Sequence, residues 1–364
     1  MTLHLYFARR FAKSLAMVLA ALALILTMFD LVEQVRRHEL SEIGLSGALG
    51  LAALNMPETL YAGLPMAAML AAISYFLALS RSAELVVARG AGRSAAQTLL
   101  APVLTACLAG ALAVLVLNPL TAALGQRYDE LTARLSGSRA TLTLGREGLW
   151  LRQSGAGAGQ VVIHAARAGA DGAELEEVTF IGFGAGSVPQ WRIAAESARL
   201  TDGEWRIETA KRWRLDASNP EAEAERHAVM TLPTDLTRTR IRDSFRSPQS
   251  IGLWKMPQFI ADIEAAGFSS LTHRVWFQMQ LAMPALFAAM VLLAAGFTMA
   301  PARSGRTAPR VMAAFGLGLT LYFLRNFARV LGESGQAPVP LAAWAPPVAG
   351  LLMATGLILH AEEG

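Results

Sequence analysis

Residues 191–213 read WRIAAESARLTDGEWRIETAKRW, two alternating runs on either side of Thr201, Asp202 and Gly203. An Asp-Gly pair between alternating runs is a hairpin signal, because the turn needs positive φ and glycine supplies it. Trp191, Ile193 and Ala195 share one face of the first run, and Trp205 and Ile207 share one of the second. Working outward, Ala140–Leu144, Gly148–Gln153, Val161–Ala165 and Val178–Phe183 also read as strands at short, turn-punctuated intervals. Ser154–Gly159 and Ala217–Glu225 read as loops, the latter opened by Asn219 and Pro220. An all-β sandwich or open jelly roll of about 120 residues is predicted. From Pro257 to Gly267 the period becomes helical, with Phe259, Ile260 and Ile263 on one side.

The rest of the 364-residue chain differs in kind. It is 54% hydrophobic and only 16% charged, and 37 of its 60 charged residues fall within residues 119–271. That stretch nets to minus one, so the formal charge of +4 comes from the flanks. Two apolar blocks around one soluble insertion follow, and a basic nucleic-acid surface does not. A membrane span needs roughly 20 mainly apolar residues. Six segments qualify, at about 12–34, 57–79, 97–117, 275–299, 310–331 and 341–360. The expected domains are therefore 1–118 with three spans, 119–271 with the β domain, and 272–364 with three more.

Basic loops stay on the cytoplasmic side. Arg9, Arg10 and Lys13 precede span one, Arg81, Arg89 and Arg93 separate spans two and three, and Arg303, Arg306 and Arg310 separate spans four and five. All three clusters share one side when six spans cross. The β domain then faces outward, with both termini cytoplasmic. Asp30 and Glu33 follow the first apolar run without a small-residue cleavage site, which favours a retained anchor over a signal peptide. The single cysteine, Cys107, lies in an apolar run and forms no intramolecular disulfide.

Of three lysines (13, 211 and 255) none follows a glycine, so the chain carries no phosphate-binding P-loop. It has no His-Glu-x-x-His pair and no Gly-x-Ser-x-Gly elbow, and its six histidines lack ligand spacing. Neither a catalytic role nor a cofactor of its own is expected. Carboxylates dispersed in sequence leave a membrane enzyme acting on lipid or glycan as a rival class.

Positive signals lie in two places. Residues 79–97, LSRSAELVVARGAGRSAAQ, alternate charge with a short apolar ridge. Leu85, Val86 and Ala88 suit a groove on a partner, oriented by Glu84 and Arg89; a plain solvated loop is the alternative. Arg325 and Arg329, four residues apart on one helix face, lie about 22 and 28 Å along the helix from Arg310, in the outer half of span five. Snorkelling to the interface is one reading, and a lipid-phosphate site is the other, because guanidinium forks match phosphate oxygens. Trp254, Trp276 and Trp344 read as interfacial anchors, and Met66, Met69, Met283 and Met290 as packing.

Several of these residues together carry a family resemblance. Glu84-Leu-Val-Val-x-x-x-x-Gly92, the opening Arg10-Phe-Ala-Lys, Asp30-Leu-Val-Glu-Gln-Val-Arg-Arg37, and the Pro57–Pro65 entry into span two resemble the lipopolysaccharide export permeases LptF and LptG. The wording around Glu84 and Asp30 is more similar to the LptG branch. The resemblance implies a heterodimer with an LptF-like permease, an LptB-like ATPase dimer that binds the ATP, an LptC-like bitopic protein, and a periplasmic jelly roll that passes lipopolysaccharide towards the outer membrane. It implies an ATPase-coupling helix at about 81–96, with Glu84, Leu85, Val86, Arg89 and Gly92. It also implies a basic exit from span one, matched by Arg36 and Arg37; the acidic Asp30 below them departs from the family pattern. A mechanotransmission permease of the FtsX or MacB kind is the nearest rival, and three spans on each side of one β insertion argue against it.

Overall fold

The computed structural model describes residues 2–37, 40–82, 84, 90, 94–135, 149–154, 160–169, 172–184, 188–201, 203–234, 236–237, 241, 247–265, 269–299 and 307–363. The chain divides into a helical unit (Met1–Asp129, Pro248–Pro257 and Leu271–Gly364) and a β unit (Glu130–Ser247 and Gln258–Ser270). The predicted strand at Ala140–Leu144 lies outside the described residues.

The helices are α1 (Thr2–Arg37), α2 (Leu40–Arg81), α3 (Ala95–Leu112), α4 (Asn118–Leu135), α5 (Met256–Ala265), α6 (Leu271–Leu281), α7 (Met283–Thr298), α8 (Thr307–Glu333) and α9 (Val339–Glu363). Five stretches are long and apolar enough to cross a membrane, and the pair α6 and α7, bent by 51°, makes a sixth if it counts as one span. Span two is longer than the sequence suggests. It runs Gly44–Arg81, straight through Pro57 and Pro65, which had read as its entry. Proline marks a helix start in water, but spans tolerate it where neighbouring helices and side chains satisfy the freed carbonyl. The actual break is Gly44, at φ 63°.

Span three continues through a π-helical turn at Ala113–Leu117 into α4. The turn takes in one extra residue just before Asn118, which is buried. At the centre of the unit, α7 buries eleven of its sixteen residues. Met69 of α2 lies flat against Gly318 of α8, where a Cβ would stand 1.7 Å from its sulfur. Glycine there lets the two helices approach.

The β unit is one six-stranded antiparallel sheet in simple order: β1 (Leu149–Ser154), β2 (Gln160–Ala168), β3 (Glu174–Phe183), β4 (Pro189–Thr201), β5 (Glu204–Arg214) and β6 (Glu225–Pro233). The 191–213 hairpin forms as read, Leu200 pairing with Trp205 and Ala198 with Ile207. β6 is an addition to the reading of the sequence; Glu225, assigned to a loop, begins it.

In β2 to β6 the inward-facing set changes parity once. It shifts from Ala165 to Ala168 in β2, Leu175 to Val178 in β3, Ile193 to Ala198 in β4, Ile207 to Ala210 in β5, and His227 to Met230 in β6. The shifts fall in one row across the sheet, between the pairs Arg167↔Glu176, Ser197↔Glu208 and Glu208↔Val229 on one side and Ala165↔Val178 and Ala210↔His227 on the other. Among the described residues both non-glycine positions with positive φ, Glu177 and Thr209, sit in this row. An extra residue on each strand bends it without breaking register. One sheet thereby folds into two leaves around one core. Phe180 on one leaf meets Trp205 on the other edge-on, with ring centroids 6.1 Å apart.

Candidate functional site

Within the helical unit a cavity of about 160 Å³ lies among α2, α4, α6, α7 and α8. Glu58 and Tyr61 of α2, Asn118 and Thr121 of α4, Trp276 and Gln280 of α6, and Tyr322, Arg325 and Arg329 of α8 line it. The Tyr61 hydroxyl donates to Gln280 Oε1 at 2.5 Å. Asn118 Oδ1 accepts the Leu253 N–H at 3.0 Å, which holds the amide at the cavity wall.

The two arginines of α8 dominate the electrostatics. Among the described residues Arg325 makes no hydrogen bond or ion pair, although it is half-buried. Arg329 Nε is buried with no hydrogen-bond partner, and Glu333 Oε1 is 3.8 Å away, beyond hydrogen-bond reach. A half-buried cation without a partner is costly, so Arg325, with Arg329 and its loosely paired guanidinium beside it, makes a place for an anion. Only Glu58 among the lining residues carries the opposite charge.

Trp276 requires a correction. It is 6% exposed and faces this cavity, so it is not an interfacial anchor; the bend at Ala282 separates α6 from the straight run that the sequence implies. Trp254 is 69% exposed, and Trp344 donates its indole N–H to Gln278. Tyr61, Asn118 and Gln280 escaped the sequence reading. Polar side chains inside apolar spans were the available signal.

Arg36 and Arg37 do not line this cavity. At the end of α1 both reach back to Glu33: Arg36 Nε and Nη2 each at 2.9 Å and Arg37 Nε at 2.7 Å. Asp30 instead accepts from Asn55 Nδ2 at 2.9 Å. The structure therefore brings Arg325 and Arg329 together and leaves Arg36 and Arg37 on a separate, exposed site with a carboxylate of their own.

Of the proposed coupling residues, Leu85, Val86, Arg89 and Gly92 lie outside the described residues. Glu84 is described, and it is engaged within the chain. Arg10 Nη1 of α1 bonds both carboxylate oxygens, and the Tyr6 hydroxyl donates to one at 3.2 Å.

Five apolar spans, six if the bent α6–α7 pair counts as one, with an inserted two-leaved β unit and a cationic cavity among the helices, are the features of a multi-pass membrane protein. The chain belongs to the lipopolysaccharide export system permease LptF/LptG family, whose profile matches residues 5–360. None of the curated proteins compared with it matches.

Proposed function

We propose that the chain is the LptG-like permease subunit of an ABC exporter that draws lipopolysaccharide from the outer leaflet of the inner membrane. Substrate leaves through the β unit towards the outer membrane. ATP is hydrolysed by a separate LptB-like dimer, and an LptF-like permease and an LptC-like bitopic protein complete the assembly. The observation that carries the reading is Arg325 beside Arg329 in the cavity, the first without a partner among the described residues and the second with only Glu333 at 3.8 Å. Lipid phosphates are the anions a membrane offers there, and guanidinium matches them in fork geometry. Arg36 and Arg37 serve the same phosphates from the end of α1 once Glu33 releases them.

In this reading the β unit is periplasmic, both termini are cytoplasmic, and the segment between α2 and α3 meets the ATPase through Glu84 and the ridge that follows. Photo-crosslinkers at positions 36, 37, 325 and 329 test the substrate assignment in the assembled complex. Lipopolysaccharide adducts at several of these sites are expected; adducts elsewhere in the complex but at none of the four would overturn it. In a Cys107→Ala background, cysteine at Ser218 is expected to label from outside, and cysteine at Ser94 only after lysis.

A further inference from the structure

One backbone N–H sets the polarity of the cavity wall. Leu253 is buried in the segment just before α5, and its N–H, which can only donate, goes to Asn118 Oδ1 at 3.0 Å. That contact fixes which end of the Asn118 amide is oxygen, because an amide's two ends are told apart by the partners they meet. The other end, Nδ2, is the donor left for Tyr61, the hydrogen-bond partner of the Asn118 side chain. Approached by a donor, the Tyr61 hydroxyl gives its own proton onward, to Gln280 Oε1 at 2.5 Å. The Leu253 segment, α4, α2 and α6 are thereby linked by donations that all run one way.

The last group in this chain of hydrogen bonds is left with protons to give. Gln280 is 4% exposed, yet its Nε2 has no hydrogen-bond partner among the described residues and is not one of their sealed polar atoms. The open space it meets is the cavity that Gln280 lines. Pro284, without an N–H to return to the preceding turn, interrupts the helix just after Gln280, and the span bends there by 51°. Trp276, one helical turn back on the same face of α6, lines the cavity too. Arg325 is near enough to the Tyr61 hydroxyl to act on it through charge, so guanidinium and amide converge on one region.

We infer that Gln280 is an anion-binding residue of this cavity, its amide protons joining Arg325 on one phosphate group, with the bonds from Leu253 through Asn118 and Tyr61 holding its oxygen turned away. This rests on the reading that the cavity takes lipid phosphate. A glutamine free to turn presents a donor and an acceptor alike, and the acceptor end repels an anion. With Oε1 held by Tyr61 the donor end alone is offered, and the side chain needs no reordering when the ligand arrives. A phosphate oxygen, charged and rich in lone pairs, satisfies such donors better than a sugar hydroxyl does.

The test uses the full chain with the partners that co-purify, in nanodiscs, and two probes: intact lipopolysaccharide and lipopolysaccharide stripped of its phosphates. Gln280→Met, close in length and without a hydrogen-bonding amide, is expected to weaken binding of the intact probe about tenfold or more, the scale of a lost hydrogen bond to a charged group, and to leave the stripped probe unaffected. Gln280→Glu keeps an acceptor for Tyr61 but has no donor to offer, and should lose at least as much. Tyr61→Phe frees Gln280 to turn and should cost about two- to threefold, the lower end for a hydrogen bond. Gln280→Met also strands the Tyr61 hydroxyl. The double variant of Tyr61→Phe with Gln280→Met removes both ends of that bond, so it should unfold near the temperature of the native protein while binding the intact probe as poorly as Gln280→Met.

Native affinity for the intact probe in both Gln280→Met and the double variant overturns the inference, and so does an equal loss for the two probes. If Arg325→Met binds the intact probe weakly in the same assay, either result leaves the cavity reading in place and makes Gln280 a structural residue. Equal affinity of the native chain for the two probes sinks the cavity reading and the inference with it. A loss confined to the intact probe in Gln280→Met, with none in Arg325→Met, keeps the glutamine as an anion ligand and removes the arginine.

Discussion

Glu177 and Thr209 stand on the two strands that flank β4, opposite the same stretch around Glu196, and both adopt left-handed backbone, at φ 51° and 54°. They mark the crease along which the sheet folds over its own core. On the outside, Arg167 bridges it, donating to Glu176 at 2.8 Å and to Glu177 at 2.9 Å.

Thr209 is β-branched, and positive φ is costly for it. Thr209→Gly is expected to stabilise the protein by up to about 1 kcal/mol, the relief of strain exceeding glycine's loss of chain entropy. Glu208→Gly, one residue away in ordinary strand geometry, should destabilise it. Chemical denaturation of the purified protein followed by tryptophan fluorescence separates the two, and equal effects would contradict the crease.

Gln153 closes the two leaves over the core. It is 3% exposed; its Oε1 accepts from Trp205 Nε1 at 3.2 Å and Thr234 Oγ1 at 2.6 Å, and its Nε2 donates to the Pro233 carbonyl at 3.1 Å. Gln153→Leu strands three polar groups, one of them the fully buried indole N–H, and should cost about 2–4 kcal/mol. Trp205→Ala should cost about 3–5 kcal/mol through its cavity. Both are read from the shift of the unfolding midpoint.

Arg325 sets stability against function. Without substrate its guanidinium is half-buried and unpaired, so Arg325→Met should raise the thermal stability of the empty protein by about 1 kcal/mol. The same change should sharply lower the yield of co-purified lipopolysaccharide. A variant that loses stability as well as substrate would mean that Arg325 is a structural residue.

Glu33 holds Arg36 and Arg37 by contacts one helical turn long, at an exposed site where water screens such pairs and they add little to stability. Glu33→Gln is therefore expected to leave stability almost unchanged while raising lipopolysaccharide adduct yield at a crosslinker placed at 36 or 37. Unchanged adduct yield would remove these two arginines from the phosphate path.

The Glu84 carboxyl is raised by burial and lowered by its hydrogen bonds from Arg10, Ser82 and Tyr6 and by the charge of Arg10, and the lowering prevails. A depressed folded value means that its stabilising contribution is complete above the unfolded carboxylate value and fades as pH falls through the folded one. The distance between spin labels replacing the exposed Met17 and Gly90 in a Cys107→Ala background should accordingly hold from pH 8 to about pH 5 and broaden only below the ordinary carboxylate range.

The sequence by itself determined the membrane blocks, the β insertion and the family. Each rests on local signals: apolar length for the spans, alternation and Asp202-Gly203 for the hairpin, and several short strings together, Glu84–Gly92 and Asp30–Arg37 among them, for the family. The tertiary structure decided which polar groups meet. Arg10 and Glu84 are 74 residues apart and Tyr61 and Gln280 are 219 apart, and no periodicity links such positions. It also decided that Glu33, and not Asp30, takes Arg36 and Arg37, because only Glu33 lies one turn back on the same face. The crease was hidden for a related reason. A one-residue shift in burial phase reads in a single strand as noise, and only the register of five strands aligns those shifts into a fold line.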